Sequence, residues 1–296
     1  MLLFALQSNA QDTAVNVHLN KRIWVVSAVN AGLWGGSFYA LNKAWYSTHQ
    51  QSTFHLYNDW GEWNQMDKFG HAWSSYQITE HSTKIWQWAG LKPKKALLIG
   101  SLSSMAYLSI IEVLDGYSDK WGFSIPDLMA NSAGSFFYLG QALLWKDQRI
   151  RFKMSYSPYH YGSLKTRADQ LFGKSDVEKL LKDYNGQTYW SSINVRSFFP
   201  NSSFPAWLNL AVGYGSRTLL GGYENSWMDA NGQVVNRNDI KRYRRIYLSL
   251  DLDLTKIKTE KKGLKTVFSI LNVLKFPAPS IEFNTMGKAR MHPIYF

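Results

Sequence analysis

Apolar stretches interrupted by short polar signatures fill the first half of the chain. Alternation of apolar and polar positions marks the second half. Ile23 to Tyr46 is an apolar run, long enough for either a membrane-spanning or a buried helix, although Asn30, Asn42 and Lys43 weigh against a span. Residues 49–66 are polar and read as loop. The spacing predicts an amphipathic helix from about Asp67 to Ala89, with Glu80, His81 and Lys84 on its outer parts, closed by the break from Gly90 to Pro93. The next helix runs from Lys94 to about Leu114, carries no charge from Ala96 to Ile111, and ends at Gly116. A fourth begins after Ser124, a suitable N-cap, with Pro126 in its first turn, and continues to about Trp145.

After Arg149 the period shortens. Arg151 to Tyr156, Ser192 to Phe198, Trp207 to Tyr214, Tyr243 to Leu254 and Ser280 to Asn284 read as strands. Gly221-Gly222 and Asn231-Gly232 mark turns, and Ser175 to Tyr184 and Leu264 to Leu274 read as helices. The terminal Phe296 on a last strand resembles the ending of outer-membrane barrels, while Pro293 removes a ladder donor there. The expected fold class is α+β: a four-helix bundle over residues 11–150, then a strand-rich antiparallel, barrel-like half over 151–296.

Composition adjusts this picture. Aromatics make up 16% of the 296 residues, with 13 Trp and 17 Tyr, and such side chains favour places where one end is apolar and the other wet, membrane interfaces among them. The formal charge is +12, concentrated in Lys241 to Arg245 and Lys256 to Lys265. With no zinc-finger spacing and no aromatic ribonucleoprotein box, anionic lipid head groups are the expected partner and nucleic acid is not. Protein partners are left open. The chain holds no cysteine, which removes disulfides, thiolate metal sites and a cysteine nucleophile. Residues 1–10, with Leu2 to Leu6 apolar and Ser8-Asn9-Ala10 as a small-x-small site, read as the remnant of a signal peptide, hence export.

The candidate chemistry lies in the polar signatures. Asp67 and His71 are four residues apart, followed by Ser75 and Tyr76; Glu112 and Asp115 are three apart; Asp127 and Asn131 are four apart. Each pair shares a helix face, and ionised groups enter an apolar setting only with partners. Three readings stay open. One is an acid–base site with His71 as base, Asp67, Glu112 or Asp127 orienting it, and Lys68, Ser75, Tyr76, Asp115 and Asn131 as binding groups. The second is interhelical hydrogen-bond glue. The third is a divalent cation held by carboxylate and imidazole, although no cofactor motif is present. No nucleophile elbow, Walker loop, dinucleotide fingerprint or His-Glu-x-x-His motif occurs.

Taken together, Asp67-Lys68-x-x-His71, Glu112-x-x-Asp115-Gly116 and Ser124-x-x-Asp127-x-x-x-Asn131-x-x-Gly134 resemble the domain-of-unknown-function 2279 family of YfiM-like predicted periplasmic lipoproteins. The order of motifs over residues 60–146 is also similar to the VanZ-like membrane proteins. Lys182 to Trp190, Trp207 to Gly215 and Ser249 to Leu254 resemble longer members of the 2279 family. The resemblance implies a Gram-negative cell envelope location, outer membrane or periplasm with inner membrane as the alternative, and no defined activity. With no cysteine to acylate, anchoring is expected from apolar helices, a barrel or a partner. If the chain is an enzyme, a hydrolase or transferase acting on an envelope lipid or glycan is the expectation. The rival is a non-catalytic structural protein.

Overall fold

The structure is a computed structural model that describes residues 21–43 and 50–296, with the helical backbone alone over 2–20. The expected signal-peptide remnant at 1–10 lies outside the residues described with side chains. The chain divides into two units, residues 1–58 with 74–140, and residues 59–73 with 141–296.

Four long helices form in the first half. They are α1 (Leu2–Leu41), α2 (Met66–Trp88), α3 (Pro93–Gly116) and α4 (Ile125–Leu144). Two short parallel strands, β1 (Leu56–Tyr57) and β2 (Phe123–Ser124), pair with each other. The stops follow local chemistry: Gly90 takes a left-handed φ of 97° just after α2, and Pro93 opens α3, where a missing N–H costs nothing. The Ser124 hydroxyl accepts from the Asp127 N–H at 3.0 Å, the cap expected for α4.

Within the first unit the helices meet through small polar side chains rather than large apolar ones. Ser75 Oγ donates to the Asn131 carbonyl at 2.5 Å and lies 3.1 Å from Ser104 Oγ, which donates to the Ser75 carbonyl at 2.9 Å. Thr79 donates to Ser135 at 3.1 Å. At Gly100 the α2 backbone comes so close that a Cβ would lie 2.8 Å from the Thr83 nitrogen and 2.3 Å from its hydroxyl. Tyr76, Tyr138, Leu97 and Leu108 are buried, but many large apolar side chains point outward: Trp24, Leu33, Leu98, Leu102, Met129 and Phe136 are all more than half exposed. Alpha-3 alone among the described helices is long and apolar enough to cross a membrane, and a third of that segment is buried.

The second unit is strand-rich. Its elements are β3 (Ile150–Tyr156), α5 (Lys165–Phe172), α6 (Asp176–Lys182), β4 (Gln187–Ile193), α7 (Val195–Phe198), β5 (Leu208–Arg217), β6 (Ser226–Met228), β7 (Val234–Asn236), β8 (Tyr243–Leu252), α8 (Lys262–Leu271), β9 (Ala278–Asn284) and β10 (Ala289–Tyr295). Six strands form one antiparallel sheet in the order β10-β9-β8-β5-β4-β3, while β6 and β7 make a separate ribbon. The expected strand from Ser192 to Phe198 is cut short because the Asn194 side chain accepts from the Ser197 N–H at 3.0 Å and caps α7.

The sheet does not close into a barrel, the alternative that the terminal Phe296 and the strand-rich half left open. Beta-10 is an edge strand with a register shift between His292 and Tyr295, spanning Pro293, which has no N–H to offer another strand. At the opposite end, Met154 of β3 makes only a short bridge, donating to the Val273 carbonyl at 3.1 Å and accepting from Lys275 at 2.9 Å.

The two faces of this sheet are inverted relative to a soluble sheet. Asn209, Ala211, Arg245, Tyr247, Asp251 and Glu282 are buried, while Leu210, Val212, Ile246, Leu248, Ile281 and Phe283 are exposed. The register stacks the exposed set across strands: Val212 opposes Leu248, which opposes Ile281, and Leu210 opposes Leu250. Charge pairing makes the buried set tolerable. Lys153 Nζ lies 2.8 Å from Asp251, both fully buried, and Arg151 lies 3.1 Å from Asp253. Ser192 donates to Asp251 at 2.6 Å and Tyr247 to Glu282 at 3.0 Å. Burial lowers the Lys153 pKa, against the opposing pull of Asp251. It also lowers Lys275, whose Nζ sits 4.7 Å over the Trp190 ring, to about 8.

Candidate functional site

The segment that leads into α2 holds three consecutive non-glycine residues in the left-handed region: Trp63, Asn64 and Gln65, with φ of 50°, 52° and 62°. Each costs roughly 1–2 kcal/mol of backbone strain. The surrounding second unit holds all three. Trp63 N–H donates to Gly222 at 2.7 Å. The Tyr214 hydroxyl donates to the Asn64 carbonyl at 2.5 Å, and Asn64 donates to Ser216 at 2.9 Å. Arg244 donates to Gln65 at 2.7 Å. Strain fixed this firmly sets where the first turn of α2 points.

That turn carries Asp67, Lys68 and His71. Lys68 Nζ lies 2.7 Å from Asp59 and 3.0 Å from Asp67, with only 7% of its side chain exposed. The Tyr184 hydroxyl donates to Asp67 Oδ1 at 2.6 Å. His71 Nε2 stands 3.7 Å from the same oxygen, in ion-pair range but beyond a hydrogen bond. Burial raises the Asp67 carboxyl, but His71, Lys68 and Tyr184 outweigh it and leave the pKa lowered to about 2. Asp67 is thus an anion at any physiological pH. Burial and the Asp67 charge push the Tyr189 phenol far up, so it stays protonated and donates to Gln187 at 2.9 Å. Its hydroxyl rests over Gly70, where a Cβ would come within 2.9 Å. Asp67 and His71 each keep 21% of their side-chain surface open to solvent.

The remaining sequence-derived candidates belong to the first unit. Glu112 and Asn131 are both 1% exposed, and Asn131 Nδ2 approaches Glu112 Oε1 at 3.5 Å. Ser75 and Tyr76 are fully buried, Ser75 in the hydroxyl chain described above and Tyr76 edge-on to Tyr138 at 5.4 Å. Asp127 is 5% exposed at the start of α4, and Asp115 is part-buried near the end of α3. The site therefore has members that the polar signatures did not point to: Asp59, Tyr184 and Tyr189. Asp59 sits in a stretch read only as polar loop. Tyr184 closes a segment read as a helix, and Tyr189 lies just beyond it, outside the polar signatures.

The fold and the site describe an α+β protein with an ionised, lysine-compensated Asp–His pair at the start of a helix. Residues 56–140 match the model of a family described as "Predicted periplasmic lipoprotein (DUF2279)". The resemblance read from the motifs is borne out over that stretch, which contains all nine candidate residues, and the description fits a cell-envelope location. Neither the curated proteins nor the solved structures gave a match.

Proposed function

We propose that this is a membrane-associated envelope protein, at the outer membrane or its periplasmic face, that handles an envelope lipid or glycan through the Asp67–Lys68–His71 set. The observation that carries this reading is the geometry at Asp67, whose carboxylate is held by Tyr184 and Lys68 and stands 3.7 Å from a part-exposed His71. A carboxylate locked as an anion beside a part-exposed imidazole is suited to orient a base and to stabilise it as it takes a proton. In this scheme His71 abstracts a proton from a hydroxyl or water, Asp67 positions its ring, and Tyr184 fixes Asp67. Lys68 bridges the Asp59 and Asp67 carboxylates and offsets part of their charge. The reaction class is hydrolysis or group transfer.

A second reading is favoured for the first-unit residues by a specific observation. Glu112 and Asn131 are almost wholly shielded and sit among hydroxyl-to-backbone bonds that tie α2, α3 and α4 together. We assign them to interhelical bonding.

The test is replacement of the native protein by a His71→Gln variant in its own cells. The expected outcome is that envelope lipid or glycan profiles by mass spectrometry match those of a deletion strain while protein abundance stays at the unsubstituted level. Profiles indistinguishable from the unsubstituted strain would remove His71 from the chemistry.

A further inference from the structure

A second surface of the molecule, apart from the Asp67–His71 site, has the character of a ligand face. Alpha-8 is the most strongly two-sided helix of the chain. Leu264, Val267, Ile270 and Leu271 lie on one arc, and Lys261, Lys262 and Lys265 on another. In a soluble protein the apolar arc of such a helix is buried. Here it is open: Val267 is 47% exposed and Ile270 58%. The helix packs on the turn Leu254–Lys256 at the end of β8, and the chain then returns through the exposed Phe276 into β9. At this end of the sheet Trp207 is also exposed, its carbonyl bonded to the Asp253 N–H at 2.8 Å. From there the outward aliphatic rows of β5, β8 and β9 continue the apolar surface.

We propose that α8 and the adjoining outward face of the sheet dock on an anionic lipid leaflet, with α8 lying in the head-group layer. Four features select lipid over protein as the occupant. The apolar rows are aliphatic but for Phe283, and the inner face of the sheet holds ion pairs beside an aromatic cluster, so its charged groups are turned away from the docking side. The segment from Lys256 to Lys265 carries five lysines against one Glu260, a charge that complements lipid phosphates. The helix presents apolar and basic arcs side by side, as interfacial helices do. Exposed Trp207 and Phe276 supply aromatic groups suited to the boundary.

The test uses the purified full chain in flotation with phosphatidylcholine vesicles, with and without phosphatidylglycerol. Binding is expected to vesicles that contain phosphatidylglycerol and to weaken as salt rises from about 0.1 M to about 0.5 M, where exposed charges are screened. A variant with Lys258, Lys261, Lys262 and Lys265 all changed to Glu should lose about tenfold or more in affinity. Val267→Asp with Ile270→Asp should abolish binding with an unchanged melting temperature, since both side chains are exposed. His71→Gln should bind vesicles as the unsubstituted chain does, which separates this inference from the catalytic reading. No vesicle binding, or binding that ignores phosphatidylglycerol and both variants, would overturn the proposal. So would self-association broken by the Val267→Asp, Ile270→Asp pair, which would make a second copy the occupant.

Discussion

Asp67 shows how one residue can be read from its neighbours. Its carboxylate accepts from Tyr184, faces Lys68 and stands beside His71, and its pKa falls to about 2 from 3.8. A carboxyl whose folded value is depressed stabilises the native state above the unfolded pKa, and that contribution is lost as pH falls through the folded value. The shift corresponds to about 2 kcal/mol, present in full above pH ~4 and gone near pH ~2. Denaturant unfolding should therefore show Asp67→Asn less stable by up to about 2 kcal/mol at neutral pH, with the gap closing as the solution is acidified through that window. A gap that stays constant with pH would contradict the ion-pair account. Tyr184→Phe should raise the Asp67 pKa, read by the acid limb of the same curve moving to higher pH.

Elements raise a different question, which is why polar groups face inward. In the sheet, Lys153 and Asp251 are fully buried and paired at 2.8 Å. Removing one partner strands the other charge, so Lys153→Met or Asp251→Leu alone should cost about 3–5 kcal/mol, while the double variant should recover much of that loss. Equal and additive losses in a double-mutant cycle would argue against the pair. In the helices, Gly100→Ala places a methyl against the Thr83 backbone, which cannot yield as a side-chain tip can. A loss of roughly 1–3 kcal/mol in thermal unfolding is expected.

Element positions were largely legible in the sequence because Ser124, Gly90 and Pro93 punctuate the helices, and strict alternation marks β5 and β8. Beta-10 was obscured by Pro293, which an edge strand with a register shift tolerates. Barrel closure was not legible, since period 2 reports an inside and an outside but says nothing about which strands meet at the ends. The Asp67–Lys68–His71 part of the site was legible from i, i+4 spacing. Its partners Asp59, Tyr184 and Tyr189 were not: Asp59 lies just upstream in a stretch with no helical spacing, and the two tyrosines arrive from a segment distant in sequence.

Both units bury many small or charged polar groups beside a few aromatic and aliphatic clusters, and both leave rows of large apolar side chains exposed. In the first unit hydroxyls and Gly100 let helices approach, as they do where hydrophobic burial is not the driving force. In the second, ion pairs fill the inner face of the sheet and aliphatic rows cover the outer one. This distribution fits the envelope location that the family description supports. The left-handed turn at Trp63 to Gln65 belongs to the second unit and sets the pair's first helical turn, whereas Glu112 and Asn131 belong to the first.

The central claim is that division of labour: Asp67 and His71 act, and Glu112 holds helices. The most direct test is a side-by-side comparison of His71→Gln and Glu112→Gln for melting temperature and for restoration of the envelope profile in deletion cells. The account predicts that His71→Gln loses only the small share of stability that Asp67 draws from His71 and restores nothing, while Glu112→Gln lowers the melting temperature markedly and restores the profile in proportion to the folded protein that remains. A His71→Gln protein that melts early, or a Glu112→Gln protein that stays fully folded and restores nothing, would contradict it.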